Sequence, residues 1–161
     1  MASPFARTNP AYEEHHRSCK ADRPTVIVVD SNVVAYALIE GAHTPLALQV
    51  RKIDPVWRLP ELWQHEFLNI LATYVRHGGT DENTARRLWL RAESLFAPAT
   101  AAVDLTLALG LAVRYRISAY DAQFIALAST LGVPCVTEDR ALQRAFPGSA
   151  VSMREFCRHL E

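Results

Sequence analysis

Cysteine is too scarce in this sequence to support a covalent framework. Three occur in 161 residues, at positions 19, 135 and 157, odd in number and with no C-x-x-C pair. Neither a disulfide scaffold nor a zinc knuckle is indicated, and Cys135, set in an apolar strand pattern, is expected in the core. Glycine is limited to six residues, and neither G-x-G-x-x-G nor P-loop spacing occurs, which argues against a dinucleotide or nucleotide-triphosphate cradle. Lysine is confined to positions 20 and 52. A phosphate-accepting receiver domain needs a lysine at the end of a late strand, and none is there. The histidines show no H-x-x-x-H or comparable ligand spacing. No apolar run approaches a bilayer span, and residues 1–20 lack the apolar core of a secretory signal, so a cytoplasmic protein with no membrane association is expected. Net charge is also missing: 17 basic residues balance 17 acidic ones. A nucleic-acid partner would have to be drawn by a local patch, for which Arg114, Arg116, Arg140 and Arg144 are candidates.

What remains is ordinary globular material, half of it hydrophobic, at a length that suits one domain. Residues 1–24 are polar and Pro-punctuated with no clear period, as in a flexible or loosely docked arm. From residue 25 to 161 strands and helices alternate. "VIVV" (26–29) and "VPCVT" (133–137) read as strands buried on both faces; "VWRLP", "TAAV" and "AVS" are shorter strand candidates. Helices are expected after Asn32, from Thr44 as N-cap to Pro55, over 61–79 and from Thr80 as N-cap to Pro98. Others should follow Asp104, Ser118, Asp139 and Ser152. Helices between strands imply parallel crossovers, hence an α/β fold: one doubly wound parallel sheet of four to five strands with helices on both faces.

The acidic residues are unusual in where they fall. Asp30 and Asp139 each follow a buried strand, at the sheet edge where open α/β folds place ligands. In the helix after Ser118 the apolar stripe contains Phe124, Ile125, Ala128 and Leu131, and Asp121 lies roughly 30° from its centre. Glu66 lies roughly 85° from the centre of its own helix's stripe, on the border, whereas His65 points outward. Each acid alone could be a helix cap or a dipole partner. Four at one edge are harder to explain that way. Two carboxylates about 4 Å apart repel by roughly 4 kcal/mol at an effective dielectric near 20, so a cluster calls for a cation. An all-oxygen set selects a hard ion, Mg²⁺ or Mn²⁺, and phosphodiester hydrolysis is the chemistry such an ion serves.

These segments resemble the PIN domain, and within it the VapC-type toxins of bacterial toxin–antitoxin pairs. The resemblance runs from about residue 25 through "VVDSNVVAYAL", "ELWQHEFLNIL", "SAYDAQFIALASTLGVPCVTEDRAL" and "EFCRHL". It implies a metal-dependent endoribonuclease acting on RNA, a homodimer, and an antitoxin protein that occludes the site. Carried over by position, Asp30, Asp121 and Asp139 would hold the ion, and Glu66 would add a ligand or orient the attacking water. Asn32 and Thr137 would give supporting hydrogen bonds. An RNA-processing nuclease without an antitoxin, and a non-catalytic PIN-like binding module, are the alternatives. Glu138 is expected to point away from Asp139 by strand alternation.

Overall fold

The computed structural model describes residues 26–158; the expected arm, residues 1–24, and the end of the helix expected over "MREFCRHL" lie outside the described residues. The chain runs β1 (Val26–Val29), α1 (Ser31–Leu38), α2 (Thr44–Ile53), β2 (Val56–Pro60), α3 (Trp63–Arg76) and α4 (Glu82–Phe96). After a 3₁₀ turn come β3 (Thr100–Ala101), α5 (Leu105–Tyr115), α6 (Ala119–Leu131) and β4 (Cys135–Val136). α7 (Arg140–Ala145), β5 (Ala150–Val151) and α8 (Met153–Arg158) follow.

All five strands are parallel, in the order β3-β2-β1-β4-β5. The chain winds outward from β1 to β3, then crosses back to lay β4 on the other side of β1. The order therefore reverses between β1 and β4, and the C-terminal ends of these strands form the edge where open α/β sheets place their ligands. β1 is sealed on both sides, as its unbroken Val/Ile run requires. Alternation sends Ile27 and Val29 into one core with Val33, Val50, Phe67 and Phe156. It sends Val28 into a second core with Leu111, Ile125, Cys135 and Leu142. α1 to α4 and α8 thus cover one face, and α5 to α7 the other.

Several local details differ from the sequence reading. The N-cap of α4 is Asp81, which accepts from the Thr84 amide at 2.9 Å, in place of Thr80. Thr44 is the first residue of α2, not its cap. Its hydroxyl donates to the Ile39 carbonyl and accepts from the Gly41 amide, both at 3.0 Å, so it stitches the preceding turn. Leu131, placed on the apolar stripe by its phase, is 44% exposed because it lies in the last turn, beyond the packed part of α6. Cys135 is in the core as expected. Among the described residues no helix is long and apolar enough to cross a membrane.

Candidate active site

Register carries the first two polar groups to one point. Val28 pairs with Cys135 and Val29 with Val136, so Asp30 and Thr137 lie side by side one residue beyond, where the Asp30 amide donates to the Val136 carbonyl at 3.0 Å. Both side chains are buried, Asp30 at 8% exposure and Thr137 at 0%. The Thr137 hydroxyl donates to Asp30 Oδ2 at 2.6 Å, and Asn32 Nδ2 donates to the same oxygen at 2.7 Å. The carboxylate expected from the sequence and its two supporting residues therefore form one bonded unit. Asn32 also accepts from the Glu138 amide at 3.4 Å, tying the turns after β1 and β4 together.

Asp121 enters from α6, on the Val28 side of the sheet. Ser118 caps that helix by accepting from the Asp121 amide at 2.9 Å, and its hydroxyl donates to Asp121 Oδ2 at 2.6 Å. Glu66 enters from α3, on the opposite side. Its helix is anchored one turn earlier by Trp63, fully buried, whose Nε1 donates to Thr100 Oγ1 at 3.0 Å. Half-buried, Glu66 accepts from Ser31 Oγ at 2.6 Å through Oε2.

Electrostatics link these three acids across the sheet. Burial pushes the Asp30 carboxyl above its ordinary value, against the Thr137 hydrogen bond that favours the charge, and the Asp121 charge pushes it further. Burial also raises Glu66, opposed by the Ser31 hydroxyl and reinforced by the charges of Asp30 and Asp121. Desolvation and like charges act in the same direction here, as they do where carboxylates share a site.

Asp139 is arranged differently. Its Oδ1 accepts from the Ala141 and Leu142 amides at 2.6 and 3.2 Å, capping α7, and its own amide donates to Thr137 Oγ1 at 3.0 Å. It joins the site through Thr137, and it is absent from the charges that raise Asp30 and Glu66. Glu138 turns away as expected, accepting from the Met153 amide at 2.8 Å to fasten α8. His65 is exposed on the outer side of α3, and the four arginines considered for phosphate contacts are exposed as well.

The donor chemistry fits a hard divalent ion: carboxylate oxygens only, mutually repelling and partly desolvated, so that a cation would relieve what folding imposes. Among the described residues no three acidic, histidine or cysteine side chains are gathered closely enough to ligate one as they stand. Asp30, Glu66 and Asp121 each accept a hydroxyl hydrogen bond instead, and Asp139 accepts two amides. Two of those hydroxyls have a signal in sequence. Thr137 is one residue past a buried strand, and Ser118 stands in the S-x-x-D spacing of a helix N-terminus. Ser31 escaped the sequence reading because its partner is 35 residues away.

Residues 27–146 match the PIN domain family. Among solved structures the fold is similar to the crystal structure of PAE2754 from Pyrobaculum aerophilum. The TM-score is 0.66 at 24% identity, with 84% of this chain and 98% of that chain covered. At that identity the likeness concerns the fold. The search of curated proteins finds no match.

Proposed function

This chain belongs to the PIN domain family, whose members are generally nucleases, and from that premise we propose that it is a Mg²⁺- or Mn²⁺-dependent endoribonuclease, the toxin of a toxin–antitoxin pair. The observation that carries the reading is that Asp30, Glu66 and Asp121, each held by a hydroxyl hydrogen bond, come from three separate elements to the sheet edge where the strand order reverses. Burial and like charge disfavour the ionised forms of Asp30, just past β1, and of Glu66 on α3, which is what a site built for a cation would relieve.

Asp30, Glu66 and Asp121 are the carboxylates that would hold the ion, with Asp139 as the fourth acid at the same edge. A bound ion would lower the pKa of a water and offset charge on the phosphate under attack. The chain's own groups supply orientation. Thr137 and Asn32 fix Asp30 by two donors to one oxygen, so the strand end presents a carboxylate in a single direction. Glu66 is fastened through Oε2 and keeps Oε1 to ligate or to orient the attacking water. The exposed Arg116 and Arg140, near Asp121 and Asp139 in the chain, are suited to gripping RNA phosphates on either side of the scissile bond.

Two partners belong to the same reading. A homodimer is supported by Leu105, Leu109 and Val113, exposed at 64, 61 and 73% along one side of α5. A small antitoxin would cover the acidic edge.

The test is cleavage of a panel of structured and single-stranded RNAs by the purified protein with Mg²⁺, with Mn²⁺ and in excess chelator. Internal cuts that require the ion are expected. Undiminished cutting in chelator would defeat the metal assignment, and ion binding without cutting of any RNA would favour a binding module. A short upstream reading frame whose product silences the activity on co-purification would identify the antitoxin. An active enzyme with no such neighbour would point to RNA processing.

A further inference from the structure

Of the three hydroxyls that bond the acids, two have a separate structural reason to be where they are. Ser118 caps α6 through its contact with the Asp121 amide, and Thr137 accepts the Asp139 amide while filling the end of β4. Ser31 has no such duty. It is the first residue of α1, follows the Asp30 cap position, and is 3% exposed. Its hydroxyl reaches 35 residues along the chain to one atom, Glu66 Oε2, at 2.6 Å.

The topology gives this contact its meaning. Asp30 shares a side of the sheet with Val28 and α6, which delivers Asp121; Glu66 comes from α3, which packs on the Val29 side. An acid arriving from the far face must be turned around the end of β1 to meet the others. Ser31 stands at that end, next in sequence to Asp30, so one hydrogen bond fixes the spacing between a β1 acid and an α3 acid. It also divides the labour of the Glu66 carboxylate: Oε2 is occupied, while Oε1 has no hydrogen bond among the described residues and remains open to a cation.

We propose that Ser31 is a positioning residue, whose hydroxyl holds Glu66 in the one orientation that lets its second oxygen serve as a ligand to a divalent ion shared with Asp30 and Asp121. The inference rests on the nuclease reading above and assigns the fastening of Glu66 to Ser31. Partners that orient metal ligands typically contribute 10- to 100-fold in affinity, and Ser31 is expected to act within that range through Glu66 alone.

Mn²⁺ titration of the full chain by calorimetry tests this without RNA. Wild type, Ser31→Ala, Ser31→Thr, Glu66→Gln and the double variant Ser31→Ala/Glu66→Gln are compared, with thermal unfolding in chelator as a check on folding. Ser31→Ala is expected to weaken Mn²⁺ binding by roughly 10-fold or more while unfolding near the wild-type temperature, and Ser31→Thr to recover most of the loss. In the Glu66→Gln background the serine change should add nothing further, since non-additivity reports action through that partner. Equal Mn²⁺ affinity in wild type and Ser31→Ala would overturn the inference and leave the metal site standing. An additive loss in the double variant would also overturn it, because the serine would then act elsewhere. Failure of the wild type to bind Mn²⁺ would remove both this inference and the metal-dependent reading on which it rests.

Discussion

A carboxylate sealed at the end of a buried strand opposes folding when it is charged, and Asp30 carries that penalty most directly. Burial raises its folded-state pKa, so the folded protein holds the Asp30 proton more tightly than the unfolded chain does, whose value is about 3.9. Its contribution to stability is present below that unfolded value and is lost as pH rises through the raised folded value. Asp30→Asn removes this titration. In chelator at about pH 8 the variant is expected to unfold at higher urea than wild type, with the gain shrinking toward zero near pH 4. Its RNA cleavage should fall by roughly 100-fold or more, since ion-borne charge stabilisation is worth several kcal/mol. Urea midpoints at the two pH values, beside an initial-rate assay, decide the matter; a variant less stable at high pH, or fully active, would contradict it.

Thr137 is the complementary case, because its hydroxyl donates to Asp30 and accepts from the Asp139 amide with no access to water. Thr137→Val keeps the shape but leaves Asp30 Oδ2 with Asn32 as its one side-chain donor and the Asp139 amide without its hydroxyl acceptor, and a loss of about 1–3 kcal/mol in unfolding free energy is expected. Thr137→Ser should lose much less. A loss in Thr137→Ser as large as that in Thr137→Val would mean that the methyl group matters as much as the hydroxyl, and no loss in Thr137→Val would mean that the hydroxyl is not required.

At the level of elements, what could be read in advance was whatever repeats along the chain or changes abruptly. The Val/Ile run of β1 ending on Asp30 marks a buried strand and its functional edge in one stretch. Helical phase placed Asp121 inward and Glu66 on a border because a 3.6-residue period leaves few alternatives. Caps were harder, since Thr80 and Asp81 are adjacent good candidates and only the backbone trajectory selects Asp81. The strand readings also outran their pairing: β3, β4 and β5 hold two residues each, fewer than the apolar runs that contain them. Contacts between distant elements had no local signature at all. Glu66 could be assigned to the site by phase and resemblance, but the residue that orients it could be found only in three dimensions.

Ser118 links local and tertiary structure within a single element. As the N-cap of α6 it satisfies the Asp121 amide, and the same oxygen donates to the Asp121 carboxylate. Ser118→Ala should therefore cost about 1 kcal/mol of stability, the usual effect of losing such a cap, and should also free the Asp121 side chain. Cleavage is expected to drop by more than the stability change explains at temperatures where the fold is intact. Circular dichroism melts and cleavage rates on the same preparation separate the two effects. A stability loss with unchanged rates would confine Ser118 to capping.

At the scale of the whole molecule, α5 shows a large amount of apolar side chain to water. Leu105, Leu109 and Val113 are spaced i, i+4, i+8 and so form one continuous stripe, while Ala108, Leu111 and Ala112 on the other side of the helix supply the core. The stripe contributes little to the folded monomer, and a soluble domain rarely leaves a contiguous apolar strip uncovered. A second copy of the chain would cover it through a symmetric contact of the kind most homodimers use. Leu109→Glu, at the centre of the stripe, would set two carboxylates against each other across such an axis without disturbing the monomer core. Sedimentation equilibrium is expected to show a dimer for wild type and a weakening of association by 10-fold or more for Leu109→Glu, because unpaired like charges buried at an interface cost several kcal/mol. A wild type that is monomeric at tens of micromolar, or a Leu109→Glu variant that still dimerises as wild type does, would show that the α5 stripe serves another surface. Since α5 leads through the Arg116 turn directly into Ser118 and Asp121, a dimer formed on this face would hold the two copies of Asp121 in fixed relation.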